Sequence, residues 1–374
     1  MSGAVTTEGD LCFSAMAGEF PGAPSTDALW NVLVQGGIAP IQAMPARWEL
    51  DKSAIFSAKA GEKDRTYLDS AFCLTDDASI PSRHDGRQVA IGKKVLQTLL
   101  TQLATQGSVL DTKRTALVVA TSWCDESYFA TGTANSSGAP VGFTPGEQVA
   151  ALASAFALGG PVLSVDTACS SFPYAIDMAK ALLSSGQADN AIVMALNTVL
   201  PPALFLGFSQ LTAFSARASM QAFGQDADGI VPGECAAAFL VEPVSQALAA
   251  RRQPLGVLRA LGLSADGAEG SVFAPGKQAQ YCAYERAYSD LDPGSVDYIE
   301  THGTGTPLGD ATELASLDSF FAAHRNTGEK LTIGSIKSVI GHPLAAAGGA
   351  SLAKALMILR HRSEIGRASC RERV

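Results

Sequence analysis

Three separated stretches of this chain carry residues able to do chemistry together. The first is Leu163-Ser164-Val165-Asp166-Thr167-Ala168-Cys169-Ser170-Ser171. It reads as an apolar strand led in by Pro161 and Val162, a tight polar bend, and then a helix. Ile176, Ala179, Leu182 and Leu183 recur at helical spacing, and Gly186 stops the run. Cys169 therefore falls at or beside a helix N-terminus. There the backbone N–H groups and the positive end of the helix dipole stabilise a thiolate. Pro173 suits the first helical turn, which does not use its N–H. A lone cysteine is more often a small buried hydrophobe than a nucleophile. The other two stretches weigh against that bland reading: His302-Gly303-Thr304-Gly305-Thr306-Pro307-Leu308-Gly309-Asp310 and Lys337-Ser338-Val339-Ile340-Gly341-His342. Each places a histidine beside glycine after an expected strand (Val296 to Glu300, Leu331 to Ile333), where polar residues more often serve a site than a core. Residue types alone admit a Cys/His hydrolase of the papain kind, but the strand–Cys–helix unit lies too late in the chain for that.

Taken together, in this order, the three stretches resemble the signatures of the β-ketoacyl synthases, the decarboxylating condensing enzymes of fatty-acid and polyketide assembly. The motifs are Asp-Thr-Ala-Cys-Ser-Ser, Thr-His-Gly-Thr-Gly-Thr-Pro-Leu-Gly-Asp and Ile-Lys-Ser-Val-Ile-Gly-His, and the resemblance runs from about Leu11 to about His361. It implies an α/β chain with the thiolase-like fold, two pseudo-symmetric βα halves packed in five layers. It also implies a reaction. An acyl group passes from the phosphopantetheine thiol of an acyl carrier protein to Cys169, and the carbanion of a decarboxylated malonyl unit then attacks it. His302 and His342 would donate N–H bonds to the enolate oxygen. Lys337 would be a charge held behind the reacting groups by a carboxylate such as Glu313, and Thr304 and Thr306 would touch the pantetheine arm. No bound cofactor and no metal are expected. The partners implied are the carrier protein, a second copy in a homodimer and, from Thr167 with Ser170-Ser171, a multidomain synthase of polyketide or polyunsaturated-fatty-acid type. A thiolase shares the fold but normally carries a second catalytic cysteine late in the chain, and His342 stands against that reading. A non-catalytic condensing-enzyme partner is the remaining alternative.

Composition sets outer limits. The 374 residues allow one large α/β domain or two to three smaller ones, and 47% hydrophobic content with 36 glycines suits tightly packed layers. A net charge of −9 with no basic stripe argues against nucleic acid. It also means that contact with an acidic carrier would need a local basic patch. Seven cysteines without CxxC spacing fit reduced thiols in a cytoplasmic protein. The polar N-terminus is no signal peptide, and no uninterrupted apolar run reaches spanning length.

The elements that must position the site follow in order. Strands are expected at Leu11–Met16, Ala116–Ala120, Ala191–Leu196 and Ala236–Glu242. Helices are expected after Thr26-Asp27, over Gln88–Ala104 and over Gln148–Phe156, while Leu206–Gly233 reads as loop. Within that loop Asp226 to Glu234 resembles a family stretch near the active-site floor; Asp226 and Asp228 lack the other ligand positions of a calcium loop. Glu19 stands where polyketide-type relatives commonly have Arg. Trp30 and Trp48 read as core, and His84, His324 and His361 as surface. Ala71–Asp85 departs most from the family. Residues 1–252 form an N-terminal half with the cysteine, and 253–361 form a C-terminal half with both histidine motifs. Leu255–Leu263 opens that second half in alternating strands and helices. Residues 362–374 turn abruptly Arg-rich and read as a non-native tail on a shortened second half. The family's glycine-rich loop beside the site is missing, which implies weak activity.

Overall fold

The computed structural model describes residues 10–44, 48, 51–75, 86–122, 144–267, 274–326, 330–363 and 372–373. Its strands are β1 (Leu11–Glu19), β2 (Ile41–Ala43), β3 (Ser70–Phe72), β4 (Thr115–Ala120), β5 (Val162–Val165), β6 (Asn190–Asn197), β7 (Cys235–Pro243), β8 (Gly256–Leu258), β9 (Tyr298–Glu300), β10 (Thr332–Gly334) and β11 (Glu372–Arg373). The helices of nine residues or more are α1 (Thr26–Val34), α2 (Arg87–Thr105), α3 (Pro145–Ala155), α4 (Ser171–Ser184), α5 (Pro202–Gln210), α6 (Lys277–Ala287), α7 (Pro307–Phe321) and α8 (Ala347–His361).

Six strands form one sheet in the order β5-β4-β6-β7-β1-β8. β5, β4 and β6 run parallel, while β7, β1 and β8 each run antiparallel to their neighbours. β4, β6 and β7 are apolar almost throughout because both of their faces are covered. On one face α2 and α3 lay Val89, Leu96, Leu99 and Leu152 against Leu117, Ile192 and Leu240. On the other face α4 and α8 lay Phe172, Ala179, Ala353 and Met357 against Val118, Val193 and Phe239. Beyond α8 lies a second sheet, β11-β10-β9, with β9 and β10 parallel. Side chains alternate across a strand. Ile299 accordingly packs with Phe320, Phe321 and Tyr284 of α6 and α7, whereas Glu300 turns to Lys354 of α8. Helices, sheet, helices, sheet, helices make five layers, the thiolase-like arrangement.

Several local expectations change. Ser25, not Thr26-Asp27, caps α1, its Oγ accepting the Ala28 N–H at 3.1 Å. The expected loop Leu206–Gly233 opens as the end of helix α5, which runs from Pro202 to Gln210 and is buried through Leu204, Phe205 and Ser209. Of the run Leu255–Leu263, three residues pair, with the tip of β1. Glu19 is buried against Lys94 at 2.6 Å, a pairing that an arginine there could not make. Trp48 is core, its indole donating to the Leu200 carbonyl at 2.8 Å, but Trp30 lies nearer the surface, stacked on exposed His361. His324 is exposed as expected, and His84 lies outside the described residues. Asp226 and Asp228 flank Arg217, which takes the place a cation would need. The tail is not wholly separate from the fold: Glu372–Arg373 pairs antiparallel with Ile333 and Thr332. An open strand edge accepts any extended segment in reach.

The approach of α8 to the first sheet is very close. A Cβ on Gly349 would stand 2.2 Å from the Ala195 Cβ of β6. Alanine is the better helix former by about 1 kcal/mol, but overpacking a tight core costs about 1–3 kcal/mol. Gly349→Ala is therefore expected to lower the denaturation midpoint. An unchanged or raised midpoint would show that α8 can shift freely on the sheet.

Candidate active site

Each reactive group stands just past the carboxyl end of a parallel strand. Cys169 follows β5 through a turn stitched by its own side chains. Asp166 Oδ1 accepts the Ala168 N–H at 2.9 Å and the Ser122 hydroxyl at 2.7 Å. Ser171 Oγ accepts the Thr167 N–H at 2.9 Å and donates to the Ala168 carbonyl at 2.6 Å. The turn forces Ala168 to φ +53°, a left-handed conformation uncommon for a residue with a Cβ. Cys169 then directly precedes Ser170, the N-cap residue of α4, and Pro173 lies in the first turn.

His302 follows β9. The Glu313 carboxylate, reaching back from α7, accepts the backbone N–H groups of His302 and Gly303, each at 2.7 Å. Asp310 does the same for Phe223 at 2.6 Å and Gly305 at 3.0 Å. His342 follows β10 and the short helix Lys337–Ile340. Its N–H donates to the Val231 carbonyl at 2.8 Å, and its carbonyl accepts the Gly233 N–H at 2.9 Å. The Asp226–Glu234 stretch thus does floor the site. Gly341, at φ +75°, makes this possible, since a Cβ there would lie 2.5 Å from the Phe72 ring.

The Cys169 sulfur and a ring nitrogen of each histidine all lie within 4.8 Å of one another. The two imidazole rings meet edge to face, with centroids 5.4 Å apart. The Leu344 N–H donates to His342 Nδ1 at 3.0 Å. Nδ1 is therefore the acceptor, and the neutral ring carries its proton on Nε2, facing the cluster. These donor types could also ligate zinc. The positive Lys337 charge acting on all three makes the recess unfavourable to a cation.

Electrostatics follow from burial and from Lys337, which is 1% exposed. Burial pushes the Cys169 thiol above its ordinary value, Lys337 pulls it back, and Asp166 pushes it up again. The helix terminus alone does not produce a ready thiolate, because desolvation of the charged form outweighs it. Burial first and Lys337 second hold both imidazoles below their usual range. His302 is open to solvent on one side, which softens its shift, whereas His342 is 2% exposed. Lys337 is itself held below the usual ammonium range by burial, against the carboxylates of Glu300 and then Glu313. Burial pushes Glu313 up, opposed by its two backbone N–H donors and then Lys337.

The sequence-derived residues Cys169, His302, His342, Lys337 and Glu313 are thus brought together. Glu313 acts on Lys337 through space, however, and its oxygens are taken by backbone. Thr304 and Thr306 bond to each other, Oγ1 to Oγ1 at 2.9 Å, at the start of α7. The sequence reading missed Glu300 and Lys354, a buried ion pair at 2.8 Å. Lys354 sits between alanines on an apolar helix, and a charge so placed calls for a buried partner.

Two family models match the chain: the β-ketoacyl synthase N-terminal domain over residues 11–247 and the β-ketoacyl synthase C-terminal domain over residues 255–365. The pikromycin polyketide synthase component PikAIII of Streptomyces venezuelae is 39% identical over 230 residues, which is 60% of this chain and 14% of that protein. Polyketide synthase GfsA of Streptomyces halstedii is 30% identical over 95% of this chain and 5% of its own length. The chain thus spans a small part of such relatives. Among solved structures, the oxazolomycin ketosynthase domain OzmH KS7 of Streptomyces albus JA3453 superposes with TM-score 0.87 at 26% identity, covering 97% of this chain and 64% of that one. The ketosynthase from module 6 of the bacillaene synthase of Bacillus subtilis 168 gives 0.82 at 26% identity, covering 96% and 63%. A thiolase-like fold, a Cys–His–His cluster at strand ends and two matching family models agree: the chain belongs to the β-ketoacyl synthase family, as a ketosynthase domain of the polyketide-synthase type.

Proposed function

We propose that this chain performs a decarboxylative Claisen condensation, with Cys169 as the acylated nucleophile. The observation that carries the reading is the convergence of the Cys169 sulfur and the two imidazoles within 4.8 Å. In the first half-reaction the Cys169 sulfur attacks the carbonyl of a carrier-bound acyl thioester and expels the phosphopantetheine thiol. In the second, a malonyl thioester on a carrier protein loses carbon dioxide. The electron pair of the broken bond becomes an enolate, whose oxygen receives N–H bonds from His302 and His342. Its carbon attacks the acyl-cysteine, a β-ketoacyl thioester forms, and the Cys169 thiolate leaves. Lys337 serves both halves by favouring the thiolate and by keeping the imidazoles neutral. Glu313 holds the His302 loop, and Thr304 with Thr306 lines the approach of the pantetheine arm.

The chain would take its substrates from an acyl carrier protein or domain within a multidomain synthase and work as a homodimer. None of the described cysteines forms a disulfide, which fits the cytoplasm. No helix among the described residues is long and apolar enough to cross a membrane. A non-decarboxylating thiolase is disfavoured by the buried imidazole of His342 opposite the thiol. A non-catalytic partner is separated by the following tests.

Iodoacetamide is expected to label Cys169, but slowly at neutral pH, because burial outweighs the pull of Lys337 on the thiol. Because burial pushes the thiol pKa above its ordinary value, labelling should keep accelerating as pH rises through the alkaline range. Lys337→Met removes the charge that lowers it, so the whole profile should move to higher pH. No labelling of Cys169 at any pH that keeps the chain folded, or a profile unmoved by Lys337→Met, would sink the assignment.

His302→Ala and His342→Ala should still accept an acyl group on Cys169. Release of carbon dioxide from malonyl carrier should fall by about 10²–10³, the usual cost of losing one donor to an oxyanion. Radiolabelled acyl transfer and carbon dioxide trapping separate the two steps. Lost acylation with intact decarboxylation would contradict the division of labour.

A further inference from the structure

Glu300 is the last residue of β9, two before His302, and Lys354 lies on α8, the helix that follows His342. Both are buried, with side chains 6% and 2% exposed. The Glu300 carboxylate divides its oxygens. Oε1 accepts the Ile336 N–H, one residue before Lys337, at 2.6 Å. Oε2 takes the Lys354 ammonium at 2.8 Å and the Tyr298 hydroxyl. One carboxylate therefore ties the end of β9, the turn after β10 and the central helix to one point. The loops bearing His302, Lys337 and His342 all leave from that point. The Cys169 turn, held by Asp166 and Ser171, is stitched separately.

We propose that Glu300 and Lys354 are a positioning pair that sets His302 and His342 relative to each other and leaves the Cys169 turn alone. The proposal rests on the condensation reading for its catalytic consequence. It also makes a claim about loop geometry that holds apart from any activity. Breaking one side of a buried pair strands a charge, whereas replacing both sides by neutral groups of similar size is tolerated far better. The decisive variant is thus the double change Glu300→Gln with Lys354→Met, accompanied by Lys354→Met alone and the conservative Lys354→Arg.

Amide hydrogen exchange and two half-reactions are measured on the purified chain: alkylation of Cys169 by iodoacetamide and decarboxylation of malonyl-pantetheine. The double variant should fold with a midpoint near the parent's. Peptides covering 299–305 and 334–342 should exchange at least about tenfold faster, with β4 and β6 unchanged. Decarboxylation should fall at least about tenfold, since small displacements of reacting groups are costly, while exchange over the Cys169 turn, residues 163–172, changes less than about threefold. Lys354→Arg alone should keep most of the parent's decarboxylation rate, whereas Lys354→Met alone strands the Glu300 carboxylate and should lower the denaturation midpoint. Unchanged exchange in the folded double variant overturns the proposal, as does equally faster exchange over residues 163–172, which is what general loosening would give. A parent chain that alkylates at Cys169 yet releases no carbon dioxide counts against the condensation reading, and the exchange data then decide the pair independently.

Discussion

Burying the Lys337 ammonium is costly, because desolvating a charge demands opposite charges close by. Much of the site is arranged around that demand. The carboxylates of Glu300 and Glu313 act on Lys337, and its charge reaches Asp310 as well. The result is one fixed positive charge with two useful effects. It pulls the Cys169 thiol toward its anion, and it opposes protonation of both histidines. Those effects suit consecutive steps, since a thiol must ionise to attack and a neutral imidazole keeps an N–H to donate. A carboxylate in the same place would reverse both.

That charge has to be carried by backbone of unusual shape. Ala168, Gly303 and Gly341 all have positive φ. Such conformations persist where surrounding bonds over-determine them. Around Ala168 the determining bonds come from Asp166 and Ser171; around Gly303 they come from Glu313; around Gly341 they come from the paired backbone of Val231 and Gly233. The strands supply rigid starting points and the short loops supply aim, so the reactive groups stand where parallel strands end. Open α/β sheets commonly bind ligands at such ends.

The convergence of Cys169, His302 and His342 was legible because each signal is local: a strand, a bend and a cysteine, or a strand, glycines and a histidine. The buried strands were legible because doubly covered strands are continuously apolar. What escaped depends on contacts far apart in the chain. Glu300 reads as an ordinary strand terminus until Lys354 is folded against it. Glu313 looked like the partner of Lys337 by type, but its oxygens serve two amides of the His302 loop. Helix α5 was hidden because Pro202, glycine and small residues suggest loop, while the burial of Phe205 that holds it is tertiary. Trp30 packs against the edge of the core and also stacks on His361, a contact that depends on α8 lying beside α1.

The two histidines are not equivalent. The backbone donor at Nδ1 fixes the tautomer of His342, and its ring is buried, so its Nε2–H is aimed before any substrate arrives. Among the described residues no hydrogen bond holds either ring nitrogen of His302, and that residue is open on one side. Fixed donors stabilise a developing charge most, because nothing has to reorganise as the charge forms. Mobile donors adapt to the group that enters. Asp166–Ala168 is exposed and His302 is open on one side, whereas His342 is buried, so the cluster pairs a ring held by a backbone donor with one that no hydrogen bond holds among the described residues.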